Sequence, residues 1–92
     1  MKHTALNTYL QPLEHIFEQE GVSEISINQP EEVWIEKYGE MSREEIPELN
    51  LQYLKSLGRL IAQSTEQEIT EEKPLLSATL PNGYRVQVIF PP

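Results

Sequence analysis

Leu75-Leu76-Ser77-Ala78-Thr79-Leu80-Pro81-Asn82-Gly83-Tyr84-Arg85-Val86-Gln87-Val88-Ile89-Phe90 specifies two strands, the turn between them and their register. Pro81 suits the first corner of a type I turn and Asn82 the second. Gly83 suits the left-handed position that closes a three-residue loop as a bulge. With Leu80 opposite Tyr84, the side chains of Leu76, Ala78, Leu80, Tyr84, Val86, Val88 and Phe90 fall on one face, and Ser77, Thr79, Arg85 and Gln87 on the other. A two-residue Asn82-Gly83 loop would pair Leu80 with Arg85 and mix apolar with polar side chains on both faces, so the pattern selects the bulged loop. One face is core. The other presents Arg85 among hydroxyls and an amide, and an exposed mid-strand arginine is ordinarily a solvated charge.

Working back from the hairpin, Asn50 is a competent N-cap, and Leu51, Leu54, Leu57, Leu60 and Ile61 form the apolar stripe of a helix. Gly58 weakens that helix by about 1 kcal/mol relative to alanine, which points to close backbone approach. Lys55 and Arg59 lie on its outer side, where solvation is the ordinary explanation. Ser64 to Lys73 reads as a polar loop crossing to the hairpin. Its Glu66, Glu68, Glu71 and Glu72 lack the spacing and the glycine of a calcium loop. Before Pro47 the period is two: Glu24-Ile25-Ser26-Ile27-Asn28, Glu32-Val33-Trp34-Ile35-Glu36-Lys37-Tyr38 and Met41 to Ile46 predict a three-stranded meander. Trp34 and Tyr38 share a face with Glu36, either as a second packing surface or as an exposed aromatic patch, and packing under a helix or loop is the expectation. The chain opens with an amphipathic helix, Leu6, Tyr9, Leu10, Leu13, Ile16 and Phe17 forming its stripe up to Gly21. Pro12 either stands just inside the start of a helix capped around Thr8 or bends a longer one. His15 reads as a surface or boundary side chain.

The expected fold class is therefore α+β: an antiparallel-rich sheet, made of the meander and the C-terminal hairpin, packed by two helices in one domain spanning residues 1–92. Ninety-two residues, 38% of them hydrophobic, at a mean hydropathy of −0.48, suffice for one modest core. Fifteen acidic against seven basic side chains give a net charge of −8, a field that repels phosphate backbones and anionic lipid heads. This disfavours direct binding to nucleic acid or to a membrane surface. There is no cysteine, and so neither a disulfide framework nor a thiolate metal site. Neither a spanning apolar run nor a signal-peptide core is visible, which suggests a soluble intracellular protein. No zinc-helix spacing, nucleophile elbow or phosphate-cradling glycine loop occurs, so the chain by itself reads as non-catalytic. Ile89-Phe90-Pro91-Pro92 reads as a strand leaving the sheet at a linker of a longer protein.

Val22 to Asn28, then Pro30, then Glu32 to Glu36, and above all Lys73 to Val88 resemble the N-terminal domain of the hexameric traffic ATPases of type IV secretion. The likeness runs from the first helix to the chain end and is weaker over Leu51 to Ile61 and the acidic loop. It implies that a RecA-like motor domain follows, and that ATP with Mg2+ lies between the two domains and is held mainly by the motor. It also implies that the Arg of the Asn/Asp-Gly-x-Arg hairpin motif, by position Arg85, reaches the phosphates. Implied partners are the motor domain, neighbouring subunits of a homohexamer and other secretion components at the cytoplasmic side of the inner membrane, serving export of protein or conjugative DNA. The phosphate loop, the metal-holding carboxylate and a further family arginine from the next strand are missing from these 92 residues. No hydrolysis and at most weak ATP binding are therefore expected of the chain alone, with no catalytic and no metal residues. A free-standing acidic adaptor, binding proteins through Trp34 and Tyr38, is the alternative.

Overall fold

The computed structural model describes residues 4–91. Its elements are α1 (Thr4–Tyr9), a 3-10 turn (Gln11–Leu13), α2 (Glu14–Phe17), β1 (Val22–Gln29), β2 (Glu32–Lys37), β3 (Glu40–Glu45), α3 (Leu51–Ser64), β4 (Leu75–Thr79) and β5 (Arg85–Ile89). The five strands form one mixed sheet in the order β3-β2-β1-β5-β4. The meander and the hairpin are joined by a parallel pairing of β1 with β5, in which Glu24 meets Arg85 and Ile25 meets Val86. All other neighbours are antiparallel. Because β3 and β4 lie at opposite edges, the segment joining them must cross the sheet, and α3 makes that crossing over one face.

The hairpin adopts the bulged loop. Thr79 pairs with Arg85, the Leu80 N–H donates to the Tyr84 carbonyl at 2.8 Å, and Gly83 has φ +92°. Leu76, Leu80, Val86, Val88 and Phe90 are all buried, with Ala78 and Tyr84 half-buried beside them. At the β2–β3 hairpin, Tyr38 (φ 51°) and Gly39 (φ 80°) form a two-residue turn with both central residues in the left-handed region, the geometry that follows strand twist.

The first helix is broken at Pro12, which settles the choice that the sequence left open. The proline sits in the 3-10 turn, where its missing N–H costs nothing. On either side of the break the stripe stays intact: Leu6, Leu10, Leu13, Ile16 and Phe17 are buried. At α3 the Asn50 side chain accepts from the Tyr53 N–H at 2.9 Å, capping the helix as expected. A Cβ on Gly58 would stand 2.7 Å from Phe90 Cε1, so the helix backbone lies close against the Phe90 ring at this position. Aromatic polar ends are satisfied as well. Tyr53 Oη donates to the Tyr9 carbonyl at 2.9 Å and Tyr84 Oη to the Phe17 carbonyl at 2.6 Å, with Phe17 stacked on Tyr84. Burial pushes the Tyr53 phenol up, reinforced by Tyr9 and Glu48. The acidic loop is anchored by Ile69, which is buried in an otherwise exposed run.

Candidate functional site

The strands present two unlike faces. The inner one is covered by the helices. On the outer one, alternation lines up Glu32, Trp34 and Glu36 of β2, Glu24 and Ser26 of β1, Arg85 and Gln87 of β5, and Ser77 and Thr79 of β4.

On the β2–β3 side of this face, a carboxylate organises the surface. Glu32 accepts from the Trp34 indole N–H at 3.0 Å and from Arg43 Nη1 at 2.8 Å. The Arg43 hydrogen bond holds the Glu32 carboxyl below the usual range, against a smaller opposing effect of burial. Trp34 is thus half-buried by its own neighbours, while Tyr38 is 68% exposed and Met41 57% exposed. The expected packing under a helix or loop fails for Trp34, because the helices cross the opposite face. It holds in part for Tyr38, whose ring lies over Gly21 in the loop before β1 while much of it stays exposed.

The β5–β4 side is hollow. An open groove of about 520 Å³ is lined by Glu24, Thr65, Gln67, Ser77, Thr79, Arg85 and Gln87 together with Ala78 and Val86. Its rim is built by the loop after α3. Gln67 Nε2 donates to the Ser77 carbonyl at 3.0 Å, lacing that loop to the edge of β4, and to Thr65 Oγ1 at 3.0 Å. Arg85 is the one cation among the described lining residues, and its side chain is 69% exposed. The contact it makes is loose, Nε standing 3.8 Å from Glu24 Oε1. Arg43 is committed to a hydrogen bond on Glu32, whereas Arg85 has no comparably close partner among the described residues.

The sequence places Arg85 on the correct face and misses its neighbours Glu24, Thr65 and Gln67. Alternation does put Glu24 on a polar face, but nothing local pairs β1 with β5. Elsewhere, His15 is exposed and pairs with Glu44 across the β3 edge. Among the described residues no group of three or more His, Asp or Glu is placed to hold a metal, and no helix is long and apolar enough to cross a membrane.

No family model matches the chain. The type IV secretion system protein VirB11 of Brucella suis biovar 1 is 34% identical over 88 residues, covering 96% of this chain and 24% of that protein. The type IV secretion system protein PtlH of Bordetella pertussis is 33% identical over 91 residues, 99% of this chain and 27% of that protein. The crystal structure of the VirB11 ATPase from the Brucella suis type IV secretion system, in complex with sulphate, superposes with a TM-score of 0.82 at 33% identity over 99% of this chain and 27% of that one. The chain is homologous to the VirB11/PtlH type IV secretion ATPases. It spans about a quarter of the length of these relatives. The aligned region takes in the helices and the meander as well as the hairpin, as the sequence resemblance implies.

In the groove, one guanidinium, two hydroxyls (Ser77, Thr79) and the Gln87 amide offer donors on a single surface. That fits one wall of a phosphate site. It does not make a cradle, since no second cation lines the groove among the described residues and Glu24 stands beside the first.

Proposed function

We propose that this chain is the N-terminal regulatory and assembly domain of a type IV secretion ATPase, forming one side of the ATP site and part of a hexameric ring that powers substrate export. The observation that carries the reading is the exposed, weakly held Arg85 in a groove on the helix-free face. A guanidinium offers two parallel N–H donors to phosphate oxygens, a geometry that lysine lacks. ATP and its Mg2+ would be held mainly by a motor domain elsewhere in the full-length protein, with Arg85 closing over the phosphates. The chain alone is not an enzyme on this reading. Its acidity, −8 over 92 residues, leaves exported DNA to other parts of the machine. The parent complex would sit on the cytoplasmic side of the inner membrane, in contact with neighbouring subunits and other secretion components.

The test is Arg85→Ala in the full-length protein. ATPase activity or nucleotide affinity falls about tenfold or more, the loss of a charge-assisted contact, while folding of the domain is unchanged. Arg85→Lys recovers only part of it. Unchanged activity would remove Arg85 from the site, and magnesium-dependent turnover by the 92 residues alone, abolished by Arg85→Ala, would overturn the division of labour.

The exposed Tyr38 and Met41 beside Trp34 favour a second reading, an acidic adaptor that binds proteins only. Sequence downstream of residue 92 separates the two. A Gly-x-x-x-x-Gly-Lys-Ser/Thr motif supports the ATPase, and a stop codon supports the adaptor.

A further inference from the structure

The parallel pairing of β1 with β5 puts a carboxylate at the one place in the groove where an anionic ligand would least tolerate it. Glu24 and Arg85 are direct cross-strand partners. Their side chains point to the same outer face, the carboxylate 30% and the guanidinium 69% exposed. At 3.8 Å the Nε–Oε1 contact is electrostatic attraction without a good hydrogen bond, so the pair is formed but easily opened. Among the described residues Glu24 is the groove's one carboxylate and Arg85 its one cation. The groove is therefore close to neutral, unlike a typical phosphate site. A phosphate approaching Arg85 must take the guanidinium from Glu24 and also lie within a few ångströms of the carboxylate, where like charges repel.

We infer that Glu24 is an internal competitor for Arg85, occupying the guanidinium when no nucleotide is bound and weakening phosphate binding when one is, so that the nucleotide is readily released. The inference rests on Arg85 facing a phosphate, as proposed above. In the opposite case, a carboxylate that merely orients the arginine, removing its charge would loosen Arg85 and weaken binding. A competitor has the reverse sign: removing its charge tightens binding.

The experiment measures equilibrium affinity and dissociation rate for a fluorescent ATP analogue on the full-length protein, as wild type, Glu24→Gln, Arg85→Ala and the double variant, at low and at high salt. Glutamine keeps the size and polarity of the side chain and removes the charge. The expected result is about three- to tenfold tighter binding for Glu24→Gln at low salt, carried by slower dissociation and shrinking as salt screens the exposed charges. In the Arg85→Ala background most of that gain disappears, since the competition has no object. If Arg85→Ala leaves affinity unchanged, the phosphate reading fails and the competitor fails with it. If Arg85→Ala weakens binding while Glu24→Gln leaves it unchanged or also weakens it, the phosphate reading stands and the competitor is overturned. Equal tightening by Glu24→Gln with and without Arg85 would overturn it too, by reducing Glu24 to a general repulsion.

Discussion

The two faces of the sheet are made from the same strands yet obey different constraints. The inner face is filled by residues such as Ile25, Ile27, Val33, Val86 and Val88, none more than 2% exposed, against Leu54, Leu57 and Ile61 of α3, which are fully buried. The outer face has no helix, and polar side chains reach across the strands in pairs. A filled interior responds to the loss of a few methylenes, because the surroundings relax only in part. An exposed surface barely responds to single changes, so its residues are free to serve contacts with other groups. The two outer arginines sharpen the lesson. Arg43 is tied to Glu32 at 2.8 Å and helps shape the surface, whereas Arg85 stands 3.8 Å from Glu24 with donors to spare.

The largest expected effect that would test this contrast is on the inner face. Leu54→Ala should lower stability by about 2–5 kcal/mol, read as a reduced urea midpoint, a large share of what a domain this small possesses. A loss below about 1 kcal/mol would mean the interior relaxes far more than close packing allows. Next comes Gly58→Ala. The added Cβ gains about 1 kcal/mol of helix propensity but presses on Phe90, and overpacking typically costs about 1–3 kcal/mol. Net destabilisation is the expected sign, and Phe90→Leu in the same chain should relieve part of it. A stabilised Gly58→Ala would show that helix and sheet part more easily than their contact suggests.

On the outer face, Arg85→Ala should leave stability within about 0.5 kcal/mol of wild type, as for an exposed loose ion pair. A larger loss would make Arg85 a structural residue and erase the contrast between the faces. The smallest effect concerns pH. With the folded-state carboxyl of Glu32 held low, the unfolded chain binds the proton more readily. The contribution of Glu32 is present above the ordinary glutamate range and is lost as pH falls through its lowered folded-state value. Removing the hydrogen-bonding partner, as in Arg43→Leu, should flatten the acid limb of stability against pH within that window. An identical acid limb would show that the Trp34–Glu32–Arg43 arrangement contributes nothing in solution.

What could be read before folding was local. The three-residue corner at Gly83, the alternation that turns Arg85 outward, the Asn50 cap and the stripe of α3 depend on residues within a few positions of each other, where turn geometry and period dictate the result. Even the crowding at Gly58 was signalled, though the ring that crowds it was not. The tertiary structure alone decided that β1 lies parallel to β5, which carries Glu24 to Arg85 across more than half of the sequence. It also decided that α3 crosses the inner face and leaves Trp34 without a helix above it, and that Ile69 pins the acidic loop whose Gln67 laces the groove rim to β4. The reason is common to all of these. Local pattern fixes which side of a strand is apolar, whereas which strand lies beside it depends on how the whole apolar set is buried together, with loop closure setting only a weak preference.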